Sequence, residues 1–372
     1  MIRVISIGTD RNVFEKGSAV RERLLKQRDF FSELHVIVFT PRHSNYTVEH
    51  IGNLWLYPTN SWTKWLYPHD AASLAKVLVH QREMVLRGSV ITVQDPFECG
   101  LAGLTVHKAT GLPLHVQVHT DFLNPLFRKL SLLNRIRILI ARRVLLQASR
   151  VRVVSARIMD TLVNVFPMLA GRITVLPVWT AKKSLSRHEG SSGRLAIMLS
   201  RFAPEKDIGV ALDAVSRTVL NGDAIGLTLV GEGKEKDSIA RAITQKNIGE
   251  YVHIEGWRHD TTSILSLADM ALSTSHFEGF GISLLEYATA GIPIIATDAG
   301  IATELIPEAY KRFICPIGDS QCFSDRMKEL AHDPLLRASY GSALKLSAKK
   351  FQIPEKDYWD RYRDDIERCI EQ

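Results

Sequence analysis

The sequence predicts an α/β fold of two doubly wound, Rossmann-like domains facing each other across a cleft. Three observations lead there. Short β-branched or apolar runs alternate with helix-compatible segments along the chain, the pattern of a parallel sheet covered by helices. The alternation is broken by a polar Gly/Ser-rich stretch, residues 180 to 194, "TAKKSLSRHEGSSGR". The chain has 372 residues, 45% of them apolar. That is enough for two cores of about 150 to 200 residues each.

In order, the first series of strand-like runs is "IRVISIG", "ELHVIVFTP", "LWLYP", "VITVQDP", "LPLHVQVHT", "VRVVSA" and "ITVLPV". Helical patterns such as "KGSAVRERLLKQRDFF" and "AASLAKVLVHQREMVL" stand between them. A second series follows: "RLAIMLSRF", "GLTLVGEG", "YVHIEGW", "MALSTS", "IPIIATD" and "RFICPI". The expected division is an N-terminal domain over 1–179, a linker over 180–194 and a C-terminal domain over 195–354. Residues 355–372 form a last amphipathic helix, with Tyr358, Tyr362, Ile366 and Ile370 on one stripe, able to cross back to the N-terminal domain.

Composition narrows the function. The four cysteines, Cys99, Cys315, Cys322 and Cys369, include no CxxC pair and no zinc-like cluster, so reduced thiols, no structural zinc and a cytoplasmic setting are expected. The chain starts on a strand, with no signal-peptide pattern and no apolar run of spanning length. The formal charge of +7 is concentrated: Phe122 to Met159 holds nine Arg or Lys and no Asp or Glu, against 38 basic and 40 acidic residues elsewhere. Within it, "NPLFRKLSLLNRIRILIARRVLLQASR" sets Leu and Ile at helical spacing with Arg between them. This suits a helix lying on the anionic inner face of a membrane, or an ordinary surface helix with a solvated basic side. No interleaved aromatics accompany the charges, which argues against nucleic acid.

Open α/β sheets bind ligands at the carboxyl ends of their strands, so the loops after strands are where function is sought. After "LAIMLS", the loop "RFAPEKD" offers Arg201 and Lys206 beside a helix start, with Pro204 and Asp207 as first-turn residues. Two cations and a helix N-terminus suit a diphosphate; a solvated Arg and Lys are the plain alternative. Gly231 and Gly233 in "VGEG" allow a backbone to come close to a ligand, or simply reverse the chain. In "HFEGFGISLLE", the amides of Phe280, Gly281, Ile282 and Ser283 open a helix after a Gly-rich turn. Glu286 follows one turn in among apolar neighbours, where a carboxylate needs partners: two ribose hydroxyls match its acceptors, as would an internal Arg or Lys. Glu278, before the turn, faces the cleft or the solvent.

Taken together, "SRFAPEKD", "VGEG", "VHIEGW" and "ADMALSTSHFEGFGISLLEYATAGIPIIATDAGIATELI" resemble, over about 110 residues, the C-terminal half of glycosyltransferase family 4, the retaining nucleotide-sugar transferases of the GT-B fold. The resemblance implies that Glu278 holds donor sugar hydroxyls, Glu286 the nucleotide ribose, Arg201 and Lys206 the diphosphate, and the amides near Gly281 and Ile282 phosphate or sugar. In the N-terminal half, "VQVHTDF" resembles the family's strand ending in a histidine near the sugar, which makes His119 the candidate. The family's glycine pair after the first strand is represented by Gly17 and Ser18 alone, and Ser200 stands where a glycine is common.

The function this implies is metal-independent, retaining transfer of a sugar from a nucleotide-diphosphate sugar to a glycan or lipid-linked acceptor, without a cofactor. No Asp-x-Asp is present, which leaves the leaving group's charge to cations and helix N-termini. Other readings are a GT-B scaffold that binds nucleotide or glycan as a partner subunit, and a sugar-nucleotide 2-epimerase. The transferase reading requires Arg201, Lys206, Glu278 and Glu286 to converge.

Overall fold

The computed structural model describes residues 2–180, 192–258 and 260–371. The chain divides into two compact units, Met1–Pro177 with Pro354–Gln372, and Val178–Ile353. The expected linker, 180–194, lies largely outside the described residues.

In the first unit, eight strands form one sheet: β1 (Arg3–Gly8), β2 (Glu33–Val38), β3 (Glu49–Ile51), β4 (Leu54–Pro58), β5 (Ser89–Val93), β6 (Leu114–Val118), β7 (Arg150–Val153) and β8 (Ile173–Val175). Their order is β3-β4-β2-β1-β5-β6-β7-β8, parallel except for the β3–β4 pair. β5, β6 and β7 are buried at every position, as a parallel sheet covered on both faces requires.

Polar residues are nonetheless built into these buried strands. Alternation puts His115 and Gln117 of β6 and Arg150 and Arg152 of β7 on matching positions, all buried. The C-terminal helix, Glu355–Ile370, covers them. Asp365 accepts from His115 Nε2 at 3.0 Å, Arg150 Nε at 2.9 Å and Thr174 Oγ1 at 2.6 Å. Arg152 donates to Gln117 Oε1 at 2.8 Å and to the Tyr358 hydroxyl at 2.9 Å. It also reaches the carbonyls of Leu176 and Pro177, at 3.1 and 3.0 Å. Burial disfavours the Asp365 carboxylate, but the bonds from His115, Thr174 and Arg150 outweigh it and hold its pKa well below the ordinary value. The helix therefore buries Tyr358, Tyr362 and Ile366 as its spacing predicts, leaves Ile370 half-buried, and buries with them Trp359, Asp365 and Cys369, which the apolar stripe does not include.

This corrects the reading of the basic segment as one patch. Arg150 and Arg152 are internal, and Arg137 is paired with Glu98 at 2.9 Å. Exposed cations remain on the helices Pro125–Leu130 and Leu132–Leu145, namely Arg128, Lys129, Arg135, Arg142 and Arg143. Among the described residues no helix is long and apolar enough to cross a membrane.

In the second unit the strands are β9 (Leu195–Leu199), β10 (Gly226–Val230), β11 (Val252–Gly256), β12 (Met270–Ser273), β13 (Ile294–Thr297) and β14 (Ile314–Cys315), all parallel. The expectation of four reduced thiols is corrected here: a disulfide joins Cys315 to Cys322, while Cys99 and Cys369 are free and buried. Gly318, at φ +81°, turns the chain between β14 and the helix Ser320–His332, which brings the two cysteines together.

Candidate functional site

The order of the second sheet, β11-β10-β9-β12-β13-β14, reverses between β9 and β12. Connections leaving these two strands run to opposite sides, so their carboxyl ends bound the crevice where ligands of such sheets bind. β9 and β12 pair through Ala196↔Met270 and Ile197↔Ala271. Beyond that point β9 keeps to β10 as far as Leu199↔Val230, and β12 to β13 as far as Ser273↔Ala296.

The two loops that leave the parted strands carry the residues singled out above. In the first, residues 200 to 207, Pro204–Lys206 makes a 3-10 turn and Asp207 adopts φ +45° before the helix Ile208–Leu220. Asp207 makes no capping bond there; its carboxylate lies 3.2 Å from Nε2 of His276 in the second loop. Two further bonds tie the loops: Thr274 Oγ1 donates to the Lys206 carbonyl at 2.7 Å, and the His276 N–H to the Glu205 carbonyl at 2.8 Å.

On this framework the Lys206 ammonium donates to Glu278, and Ser275 Oγ donates to the same carboxylate oxygen at 2.8 Å. Both charges are largely withdrawn from water, with side chains 12% and 15% exposed, so the pair interacts more strongly than one on the surface. Arg201 does not join them. Its side chain is 71% exposed and pairs with Glu205 at 2.9 Å. The structure thus brings Lys206 and Glu278 together but directs Arg201 outward, so the convergence of four side chains expected from the sequence is only partly met.

The Gly-rich turn places the next elements. Gly281 precedes the helix Ile282–Ala290 with φ +87°, and a Cβ there would stand 2.9 Å from Leu284. Ile282 and Ser283 supply amides of the first turn, which a helix leaves without internal acceptors. The Phe280 ring is core, edge-on to Phe351 at 6.2 Å, so its backbone is what it can offer to a ligand. Glu286 is half-buried one turn into the helix. Next to it, Tyr287 is fully buried; burial foremost, and the charges of both Glu286 and Glu278, push its hydroxyl pKa up.

Gly231 and Gly233 have a different physical reason from the close approach of a ligand. A Cβ on Gly231 would lie 1.9 Å from the Ser200 carbonyl oxygen, and one on Gly233 2.2 Å from that of Phe202. The backbone that presses on them is the protein's own.

In the first unit, Gly17 has φ +81° and open space around it, just before the helix Ala19–Gln27, whose N-cap is Ser18. His119 follows β6, half-buried. Burial chiefly, and the charges of Arg152 and Arg23, lower its pKa to about 3 and keep it neutral.

Sequence reading missed Ser275, Glu205, Tyr287 and the Asp207–His276 pair. In the sequence "STS" only continues the strand-like run "MALSTS", and Tyr287 is one aromatic among the apolar neighbours of Glu286. Among the described residues no group of three or more His, Cys, Asp or Glu could hold a metal ion.

N-acetyl-alpha-D-glucosaminyl L-malate synthase of Bacillus anthracis is 29% identical over 181 residues, 47% of this chain and 47% of that one, so the match spans about half of the relative's length. The structure of Anabaena HepE in complex with UDP and glucose superposes with a TM-score of 0.74 at 17% identity, over 98% of this chain and 99% of that one. Sucrose-phosphate synthase of Thermosynechococcus elongatus gives a TM-score of 0.78 at 16% identity, over 97% and 98%. These two likenesses establish the fold, that of the GT-B glycosyltransferases with two Rossmann-like domains. The model of "Glycosyltransferase Family 4" matches residues 30–179 and that of "Glycosyl transferases group 1" residues 182–346, and with both halves so matched the chain belongs to glycosyltransferase family 4.

Proposed function

We propose that the protein is a retaining glycosyltransferase that moves a sugar from a nucleotide-diphosphate sugar to a hydroxyl of a glycan or lipid-linked acceptor, without a metal. The observation that supports this most is the meeting of Lys206 with Glu278 at the point where β9 and β12 part. A diphosphate entering there takes the Lys206 ammonium from Glu278 and the first amides of the helix Ile282–Ala290. Glu278, freed and held by Ser275, accepts from sugar hydroxyls, and Glu286 accepts from the ribose. Arg201, on its exposed stem, turns from Glu205 to the diphosphate. Gly17 and His119 act for the first unit; neutral His119 can bond the sugar without adding a cation.

In this reading the acceptor oxygen bonds to the anomeric carbon on the face from which the diphosphate departs. The departing phosphate oxygen takes the acceptor's proton, so configuration is kept and no protein nucleophile is needed. The acceptor side works at a membrane. On the helix Leu132–Leu145, Leu132, Ile136 and Leu139 are exposed beside exposed Arg135, Arg142 and Arg143, an apolar and basic face suited to an anionic cytoplasmic leaflet. HepE, the Anabaena protein of like fold, was solved with UDP and glucose, which puts UDP-sugars first among donors to try.

The test is incubation with UDP-, GDP- and ADP-sugars, with and without EDTA, following sugar release and the configuration of the product. Release insensitive to EDTA with retained configuration is the expected result. An inverted product or loss of activity with EDTA overturns the mechanism. A second reading, a scaffold that binds without turnover, draws on the engagement of Arg201 and Lys206 by Glu205 and Glu278; binding with no release under any donor would establish it.

A further inference from the structure

Leu199 is the last residue of β9, and its N–H points away from β10. The alternation shows this: Ser200 donates to the Val230 carbonyl of β10 at 3.0 Å, so its predecessor faces the β12 side. Leu195 faces that side too, accepting from the Asp269 N–H at 2.8 Å. Ile197 is paired with Ala271 of β12, but no β12 residue is paired with Leu199. Leu199 is half-buried, and a backbone donor left there without an acceptor would be costly. The hydroxyl of Tyr287 accepts it at 2.5 Å.

We propose that Tyr287 is a positioning residue of the donor site. Its hydroxyl stands in for the strand partner that Leu199 loses, which lets β9 and β12 part without an orphaned amide. Two things follow from where the phenol is anchored. Its helix carries Glu286 as the preceding residue, and the strand end it holds runs directly into the loop of Arg201 and Lys206. The bond therefore sets the distance between the group proposed for the ribose and the cations proposed for the diphosphate. A nucleoside diphosphate, which needs both at once, is the ligand class that depends on it. This rests on the proposed nucleotide-sugar reading.

The test is Tyr287→Phe, which removes the hydroxyl oxygen and keeps the ring. Amide hydrogen exchange at Leu199 should become faster by about tenfold or more, the loss of one partly buried hydrogen bond. In calorimetric titration UDP should bind about tenfold more weakly, while UMP, which does not reach the second phosphate position, changes by less than about twofold. Unchanged exchange at Leu199 would overturn the inference, as would equal weakening of UDP and UMP, the mark of a general loss of structure. Failure of the unaltered protein to bind UDP, GDP or ADP would overturn the nucleotide reading instead, while the exchange measurement would still decide the role of the hydroxyl.

Discussion

Lys206 and Glu278, 72 residues apart in the chain, are hydrogen-bonded to each other across the two loops that leave β9 and β12. A pair so placed is both a lock between the loops and a store of two charges that a ligand can engage separately. Removing one member leaves the other partly buried and uncompensated.

Glu278→Gln keeps a polar group for Ser275 and removes the charge that meets Lys206. Transfer should fall about 100-fold while UDP affinity stays within about threefold, because the lost contact is with the sugar and the freed ammonium still has its diphosphate. Glu286→Ala should do the reverse, weakening UDP by about tenfold or more through the lost ribose bonds. Steady-state rates and calorimetry on both variants check the split; equal effects on both quantities in both variants would remove the assignment.

Gly231→Ala and Gly233→Ala are expected to destabilise the second unit by about 2–4 kcal/mol, since each new methyl meets a backbone carbonyl and each φ lies where side chains are rarely found. Thermal unfolding should show this without any nucleotide. A variant with wild-type stability and lost nucleotide binding would instead put a ligand against these glycines.

Asp365 makes the first unit sensitive to acid. Its folded pKa is lowered, so its stabilising contribution is complete above the unfolded value of about 4 and is lost as pH falls below it. Asp365→Asn, which leaves Arg150 without its carboxylate, should cost about 3 kcal/mol at pH 7. The gap between variant and parent should narrow at pH 3. Urea unfolding at the two pH values tests this; a gap that does not change with pH would refute it.

His119 should not titrate between pH 5 and 8, because its pKa is lowered to about 3. Its unfolded form takes a proton near pH 6.5, so this group stabilises the fold above that pH and progressively less below it. Imidazole NMR shifts across the range give a direct reading, and a midpoint near 6.5 would contradict the half-buried, cation-flanked setting.

Leu132 and Leu139 are 72% and 69% exposed on a helix whose outward cations have no acidic neighbour in sequence. Leu132→Asp with Leu139→Asp should abolish flotation with phosphatidylglycerol vesicles at low salt, with the helix Leu132–Leu145 still folded. Flotation of the unaltered protein should weaken as salt rises. If the unaltered protein does not float at either salt concentration, the face is an ordinary solvated one.

The sequence by itself determined the alternation of strands and helices and the motif residues of the second half, because both depend on the period of the chain and the spacing of neighbours. Thirteen of the strands can be read that way. β3, with three residues and one antiparallel partner, carries too little pattern to be seen. Tertiary structure alone decided the strand order, and with it the position of the crevice between β9 and β12. It also decided which charges are free. Arg150 and Arg152 look like part of a basic surface until a helix from the far end of the chain brings Asp365 and Tyr358 onto them, and Cys315 and Cys322 look like separate thiols until a turn joins them. Burial and pairing are set by residues distant in sequence, and no local period records them.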